Sequence, residues 1–370
     1  MDYFISEEQC RLKEIVARIA QEKIVPQRRE LDREEKFPHE ILKELADNGM
    51  FKIFIPKEYG GASSSTLDLC IAVEEIARAC AGVGTAYAAN ALASAPITLF
   101  GNESQKSKYL SKIAQGSLAS YSLTESEAGS DVGGIQTKAV KDKDFYVLNG
   151  GKQFITNGGE AEIYVVFAST NPERGARGLS VFIAEKGTPG FSFGKLEDKL
   201  GIRSAYTREL IFEDCKVPAE NILSREGFGF IVAMRTFDYT RPGVAALSVG
   251  VAQGALDEVI KHRESISFES SQFILAELAT KVEAARALTY AVARYIDSGA
   301  ENISRYSAMS KLFASDVAME VTTKAVEIFE LSGCTEDYPI AKMFRDAKIT
   351  QIYEGTNEIQ KLVIGRELAR

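Results

Sequence analysis

Apolar residues recur with a helical period through the first 120 residues. The segments ILKELADNGM and LDLCIAVEEIARAC place them at positions i, i+3, i+4 and i+7, which is the spacing of one buried helix face. Between these segments, IPKEYGG carries a proline and two glycines and predicts a loop. We expect residues 1–120 to form an N-terminal helical domain.

The hydrophobic period changes near residue 121. Short runs rich in β-branched and aromatic residues follow, among them AEIYVVFAST, LSVFIAE and TRELIFEDCKV. Glycine-containing turns separate the runs at 150–151, 158–159 and 187–190, as is typical between strands. We predict an antiparallel sheet or small barrel over residues 121–225.

The helical period returns after residue 225 and continues to the end of the chain. Four helices are predicted there, over 226–262, 268–297, 303–331 and 338–368. The middle β domain is therefore flanked by the N-terminal helices and by a C-terminal helical domain, 226–370. We expect the two helical domains to pack together.

Composition narrows the classes of function. The 370 residues include 44 Lys and Arg against 52 Asp and Glu, a net charge of −8. A nucleic-acid or anionic-membrane surface needs clustered positive charge, which this balance disfavours. No apolar run approaches the ~20 residues that span a bilayer, and the acidic, amphipathic N-terminus does not resemble a signal peptide.

Cysteine and histidine usage disfavours disulfide and metal chemistry. The five cysteines are scattered without a CxxC pair, and the two histidines, His39 and His262, are far apart. We therefore expect no disulfide framework, no metal site and no Ser-His-Asp triad, and we predict a reducing, cytoplasmic setting. The chain also lacks GxGxxG after a strand and a P-loop motif, which disfavours Rossmann and P-loop enzymes.

Four motifs occur in order along the chain: YSLTESEAGSD at 121–131, FITNGG at 154–159, DYTRP at 238–242 and IYEGTNEIQ at 352–360. With KEYGG at 57–61 and DYPIAKMFRDAKI near the C-terminus, they make the chain resemble the acyl-CoA dehydrogenase family from end to end. The resemblance implies a mainly α fold with a central β domain. Its parts are an N-terminal helical domain, a middle β-barrel or sheet and a C-terminal four-helix bundle.

The resemblance also implies a reaction and its partners. Members of this family remove two hydrogens from the α and β carbons of an acyl-CoA thioester. A glutamate takes the α-proton while a hydride leaves Cβ for N5 of FAD, and electron-transfer flavoprotein typically accepts the electrons. Members are usually dimers or tetramers. Whether CoA or an acyl-carrier protein holds the acyl group is left open by the sequence.

Glu354 lies where the family has its catalytic base. An α-proton beside a thioester is weakly acidic, so its removal needs a positioned base, and a carboxylate serves if a dry pocket raises its pKa. A glutamate is ordinarily a solvated charge, but the motif favours the base. Gly355 would let a ligand approach the backbone, and Tyr353 would supply an aromatic wall. Some members carry the base on the DYTRP helix, where this chain has Thr240, which cannot serve.

By the same resemblance, the loop YSLTESEAGSD lies against the flavin. Thr124 would hydrogen-bond the ring system beside the backbone of Tyr121 and Leu123, and Ser130 would contact the cofactor or the CoA portion of the substrate. A polar turn between a helix and a strand would explain these residues without a ligand.

Four further residues match cofactor positions of the family. Phe154, where many relatives carry Trp, would pack on the flavin, and Thr156 would bind it. Thr356 and Glu358 match positions that touch the flavin phosphates or ribose. Phe154 could instead be an ordinary core residue of a strand.

Asp238 and Arg241 in DYTRP resemble the pair near the CoA entrance and the base. Arg241 could orient the substrate or tune Glu354. A salt bridge at the start of a helix would explain the same pair.

The chain departs from the family in the half of the FAD site that one subunit lends to the other. Relatives carry an Arg-x-x-Phe-Gly loop, but ALDEVIKHRESISFESSQFILAELAT is several residues shorter and lacks Phe-Gly, with Arg263 nearby. Relatives also have a glutamine and a Gly-Gly pair where this chain has Glu327, Glu330 and Leu331. Bulk and negative charge there oppose a pyrophosphate.

Three hypotheses follow from these matches and departures. The chain is a flavoenzyme that dehydrogenates or, in reverse, reduces an acyl thioester. Alternatively, it is the catalytic subunit of a heteromer whose homologous partner supplies the ADP contacts. In the third hypothesis it has lost FAD and uses Glu354 for non-redox proton transfer, or only binds a thioester. Retention of Thr124, Thr156 and Glu354 favours the first two.

Overall fold

In the computed structural model, which describes residues 3–265 and 268–369, the N-terminal part is helical. Its α-helices are α1 (Glu7–Ile19), α2 (Arg28–Arg33), α3 (His39–Asp47), α4 (Thr66–Ala79), α5 (Ala81–Phe100), α6 (Glu103–Gln105) and α7 (Ser111–Ala114). Ser65 begins α4 because its side chain accepts a hydrogen bond from the N–H of Asp68. Extended backbone at Cys80 separates α4 from α5, so the two long helices pack as separate elements.

Strands occupy the middle of the chain and form one sheet. They are β1 (Ala119–Ser122), β2 (Lys138–Asp142), β3 (Phe145–Thr156), β4 (Ile163–Ser169), β5 (Leu179–Glu185), β6 (Phe191–Leu196), β7 (Thr207–Pro218) and β8 (Ile222–Leu223). The order across the sheet is β6-β7-β3-β2-β4-β5-β8, with β1 paired to β4.

The prediction of an antiparallel sheet is correct for most strand pairs and wrong for two. β1 runs parallel to β4, with Ala119 opposite Ile163, and β2 meets β4 in parallel at Lys138 and Ser169. Parallel neighbours need a long connection, and here the chain between β1 and β4 contains both β2 and β3. Among the described residues the end strands β6 and β8 are not hydrogen-bonded to each other, so the strand path is open.

Strand β4 connects the sheet to the helices because it is buried on both faces. All seven of its residues are buried. Ile163, Val165 and Phe167 belong to the large core that the sheet shares with the helices, whereas Tyr164 and Val166 belong to a smaller core made of sheet residues. Since side chains alternate across a strand, one strand serves both cores.

The C-terminal helices are α8 (Gly229–Lys261), α9 (Phe268–Asp297), α10 (Ser304–Phe329), α11 (Ile340–Thr350) and α12 (Asn357–Leu368). The central helix α8 contacts α4, α5 and three C-terminal helices, and at Gly250 a Cβ would lie 2.3 Å from the Glu74 carbonyl oxygen on α4. By length and composition α8 could cross a membrane, but 83% of its apolar window is buried inside the protein. A core helix explains that window.

The prediction of one helix over 338–368 is wrong, because the chain breaks between α11 and α12. Glu354 and Gly355 have φ values of 51° and 93°, which a right-handed helix cannot accommodate. Thr356 then caps α12 by accepting a hydrogen bond from the N–H of Ile359 at 3.3 Å. Glycine favours helix ends and threonine favours helix starts. The adjacent Gly355 and Thr356 therefore indicate this break in the sequence itself.

Candidate active site

A cleft lies between α5, α8, the sheet and the turn that joins α11 to α12. It encloses about 880 Å³ including its open mouth. Seven of the residues predicted from the sequence line it: Tyr121, Leu123, Thr124, Phe154, Thr156, Tyr353 and Glu354. The structure therefore brings together residues from three separate motifs.

The Glu354 carboxylate lies on one wall of this cleft. Its Oε2 accepts a hydrogen bond from Oγ1 of Thr240 on α8 at 2.8 Å. Burial raises the pKa of Glu354, although the Thr240 hydroxyl and the positive charges of Arg241 and Lys311 oppose that rise. A carboxylate whose pKa is raised toward neutral pH is suited to accept a proton.

The backbone that carries Glu354 is held by two neighbouring side chains. Nε2 of Gln360 donates to the carbonyls of Glu354 and Gly355 at 3.2 and 2.8 Å. Nζ of Lys311 donates to the Gly355 carbonyl at 2.8 Å and to Oδ1 of Asn357 at 2.9 Å. Left-handed backbone costs a non-glycine residue about 1–2 kcal/mol, and these hydrogen bonds stabilise the conformation that directs the carboxylate into the cleft.

Sequence reasoning missed two residues of this arrangement. Lys311 is fully buried on α10, and burial lowers its pKa to about 7, with a further contribution from Arg241, while Glu354 opposes the shift. The sequence feature that could have indicated Lys311 is a single lysine within the helical segment RYSAMSKLFASD. Thr240, which cannot be a base, is instead the hydrogen-bond partner of Glu354, and no local pattern indicates this because the two are 114 positions apart.

Asp238 and Arg241 are both buried in α8 and lie outside the lining of the cleft. Nη1 of Arg241 lies 3.4 Å from Oδ1 of Asp238, and Oδ2 of Asp238 accepts a hydrogen bond from Oγ of Ser304 at 2.5 Å. Pro242 has no N–H to offer the Asp238 carbonyl, which accepts the Ser307 hydroxyl instead. Since α8 begins at Gly229, the helix-start interpretation of this pair is wrong.

The loop after β1 forms a second wall of the cleft and is fastened to β3. The N–H of Gln153 donates to the Thr124 carbonyl at 2.9 Å. Nζ of the buried Lys152 donates to the Leu123 carbonyl at 3.1 Å and pairs with Oε1 of Glu125 at 2.6 Å. The loop that presents Thr124 is thus held by a buried ion pair.

Phe154 and Tyr121 give this wall the features that a flavin ring needs. Phe154 has φ 59° and is 55% exposed, next to a register shift between β3 and β7. Such a bulge redirects a side chain, so Phe154 is not a strand-core residue. Oη of Tyr121 is buried without a hydrogen-bond partner among the described residues. An apolar ring face, two threonine hydroxyls and a free phenol fit a polar aromatic cofactor.

The predicted contacts Ser130, Thr356 and Glu358 also lie outside the cleft lining. Ser130 is exposed in the loop before Val132–Gly134, and Thr356 acts as the cap of α12. Glu358 is exposed in the first turn of α12, where its own N–H and the Thr356 hydroxyl lower its pKa. Cofactor or substrate contacts of these three residues stay predictions.

The departures from the family pattern lie at the end of α8 and after α10. Residues 266 and 267 of the shortened loop lie outside the described part of the chain, and Arg263 is exposed, with Nη1 donating to the Ile260 carbonyl at 3.5 Å. Glu330 has φ 51° and ψ −131°, a conformation that favours glycine. Leu331 is 83% exposed. The backbone therefore keeps a glycine-like turn although the side chain is a glutamate.

Comparison with known proteins places the whole chain in one family. Sequence models of the N-terminal, middle and C-terminal domains of acyl-CoA dehydrogenase match residues 6–117, 120–215 and 227–369. The short-chain-specific acyl-CoA dehydrogenase of Clostridium acetobutylicum is 44% identical over the full length of both chains. Acryloyl-CoA reductase (NADH) of Anaerotignum propionicum is 44% identical over 100% of this chain and 96% of its own.

Solved structures agree with this placement. Butyryl-CoA dehydrogenase from Megasphaera elsdenii matches with a TM-score of 0.97 at 43% identity, over the full length of both chains. A chain from the structure described as the electron transferring flavoprotein of Acidaminococcus fermentans matches equally completely, with a TM-score of 0.97 at 46% identity. The three-part fold is that of these enzymes, and the chain is an oxidoreductase that belongs to the acyl-CoA dehydrogenase family.

Proposed function

We propose that this chain carries out flavin-dependent α,β-dehydrogenation of a short-chain acyl-CoA thioester, or the reverse reduction, with Glu354 as the base. The observation that carries the proposal is that Glu354 lines the same cleft as Thr124, Phe154 and Thr156. Relatives named as a short-chain acyl-CoA dehydrogenase and as an acryloyl-CoA reductase support the substrate class and both directions.

The acyl chain is assigned to the helical end of the cleft, whose lining is apolar. Side chains from α4, α5 and α8 form this end: Leu69, Ala88, Ala91, Leu92, Val244 and Leu247. Each methylene group of the acyl chain that becomes buried contributes roughly 0.8 kcal/mol to binding. An apolar pocket of this kind therefore selects acyl chains by length. The thioester then lies between Tyr353, Glu354 and the second wall.

Proton removal is assigned to the Glu354 carboxylate. Thr240 and the nearby charge of Arg241 favour its ionised form, while burial makes it basic enough to take the α-proton. FAD would be held at the second wall by Tyr121, Leu123, Thr124, Phe154 and Thr156. Bound FAD would supply the acceptor for the hydride that leaves Cβ.

The remaining assignments follow the same family pattern. We assign Ser130 to the CoA side of the site and Thr356 and Glu358 to the phosphate side of the cofactor. We also propose a cytoplasmic oligomer that passes electrons to electron-transfer flavoprotein. The domains are proposed as 1–120, 121–225 and 226–370.

The experiment is a visible absorption spectrum of the purified chain with and without added FAD, followed by anaerobic addition of butyryl-CoA. We expect flavin bands at one per chain that bleach with butyryl-CoA. The matched control, Glu354→Gln, should keep the bands and bleach at least about a hundredfold more slowly. A wild-type chain whose bound flavin does not respond to any short acyl-CoA would refute the proposed reaction.

A heteromer is the second candidate, and the Glu330 turn favours it. Its strained backbone and exposed Leu331 occupy the positions expected to receive the ADP half of FAD. In that case the chain alone would stay colourless with FAD, and a homologous partner chain would restore the flavin bands. A chain that stays colourless with the partner, yet binds thioesters, would support the flavin-free hypothesis instead.

A further inference from the structure

A second cavity adjoins the catalytic cleft behind Thr240. It encloses about 1110 Å³ including its opening. Leu69, Ala91 and Thr240 line both spaces, so these side chains lie between them. The second cavity differs in chemistry from the apolar end of the cleft, because hydroxyl side chains recur along its wall, among them Ser63, Ser64, Ser94, Thr98 and Tyr239.

The proposed reaction requires a route by which Glu354 releases the proton it has taken, and this cavity can provide one. Each turnover leaves the α-proton on Glu354, and the carboxylate must lose it before the next turnover. A bound thioester fills the cleft in front of Glu354 and excludes water from that side. On the other side, the hydroxyl of Thr240 is in hydrogen-bond contact with Oε2 at 2.8 Å, and Thr240 borders the second cavity.

We propose that Thr240 and the hydroxyl-lined cavity form the route by which the Glu354 proton reaches solvent; this rests on the proposed function. In the relay, the O–H bond of protonated Glu354 breaks and its proton moves to Oγ1 of Thr240. The hydroxyl proton of Thr240 passes at the same time to water in the cavity. The carboxylate and the neutral hydroxyl are both regenerated, and the reverse sequence supplies the proton for reduction.

Asp297 gives the cavity a fixed negative charge. Its carboxylate accepts hydrogen bonds from the N–H groups of Thr66 and Leu67 at 2.7 and 3.0 Å and from Oγ of Ser65 at 2.9 Å. The group lines the cavity and is held by backbone donors at the start of α4. A fixed carboxylate stabilises a positive charge that passes near it.

The test separates proton exit from proton removal. Exchange of the α-hydrogens of 3-thiabutyryl-CoA with D₂O is followed by mass spectrometry, because sulfur in place of the β-carbon prevents loss of a hydride. Single-turnover bleaching by butyryl-CoA reports removal of the proton. The quantity compared among variants is the ratio of the exchange rate to the bleaching rate.

We expect Thr240→Val to lower this ratio at least about tenfold, and Thr240→Ser to keep it within about twofold because the hydroxyl remains. Ala95→Leu, which narrows the second cavity from half-buried Ala95 outside the lining of the catalytic cleft, should also lower it. Thr236→Val is the matched control, since Thr236 lies one turn earlier on α8 and its hydroxyl donates only to the Val232 carbonyl.

A wild-type ratio in Thr240→Val or in Ala95→Leu would overturn the route. Equal slowing of exchange and bleaching in Thr240→Val would also overturn it, because Thr240 would then only position Glu354. Failure of the proposed function has a different signature: the wild-type chain itself would show neither exchange nor bleaching.

Discussion

Replacement of Lys311 by methionine tests how the protein positions its base. The two acceptors of the lysine keep other donors in the variant, since Gln360 still donates to the Gly355 carbonyl and Ser315 to Oδ1 of Asn357. No buried acceptor loses its last partner, so the full cost of an unsatisfied group does not apply. Methionine also removes the cost of burying an ammonium group. We expect the free energy of unfolding at pH 7 to change by less than about 2 kcal/mol.

Activity should respond more than stability to Lys311→Met. Removing a positive charge near Glu354 raises the pKa of that carboxyl further, so the acid limb of the pH profile of kcat/KM moves to higher pH. A shift of one unit lowers the rate on that limb about tenfold, which corresponds to about 1.4 kcal/mol. Loss of the hydrogen bond to Gly355 should lower kcat as well. Steady-state kinetics over a pH series measure both effects.

The pH dependence of stability gives an independent readout. The folded pKa of Lys311 is about 7 against an ordinary value of 10.5, so the unfolded chain binds more protons between these values. The wild-type free energy of unfolding should therefore rise as pH increases from about 7 to about 10, by on the order of 4 kcal/mol at most from this residue. Below pH 7 both states are protonated and this contribution is constant.

Chemical denaturation of wild type and Lys311→Met across that pH range tests whether Lys311 causes this pH dependence of stability. We expect the difference between their unfolding free energies to change with pH. Lys324→Met is the control, because Lys324 lies on the same helix but is 40% exposed and pairs with Glu327. Parallel stability curves for wild type and Lys311→Met, with unchanged acid limbs in the kinetics, would refute the reasoning.

Three further predictions concern the walls of the site. Lys152→Met should lower the free energy of unfolding by about 3–5 kcal/mol, because it leaves the Glu125 carboxylate buried without its cation; denaturation measures this, and adding Glu125→Gln should restore part of the loss. Glu330→Gly should remove about 1–3 kcal/mol of backbone strain and tighten FAD binding in a fluorescence titration; weaker FAD binding would contradict the proposed clash. Gly355→Ala should lower activity at least about tenfold, since its Cβ would lie 2.8 Å from an amide nitrogen at φ 93°, whereas Gly365→Ala, which meets open space, should leave it unchanged.

The sequence alone predicts much of this molecule because its strongest signals are local. Helical and strand periods separate the helical ends from the β middle, and the motifs that contain Thr124, Phe154 and Glu354 identify the residues that meet in the cleft. The break between α11 and α12 was also readable, because glycine and threonine at 355 and 356 have opposite preferences for helix ends. A long amphipathic period concealed that local signal.

Contacts between distant segments required the tertiary structure. The parallel pairing of β1 with β4 depends on where the intervening hairpin folds, and the hydrophobic periodicity of the sequence does not contain this information. Thr240 and Lys311 join the site through contacts that span 114 and 44 positions. The basicity of Glu354 is likewise a tertiary property, since burial and three partners from α8 and α10 set its pKa. Local preferences act over a few neighbouring residues, whereas burial and charge act through space, and only folding brings those groups together.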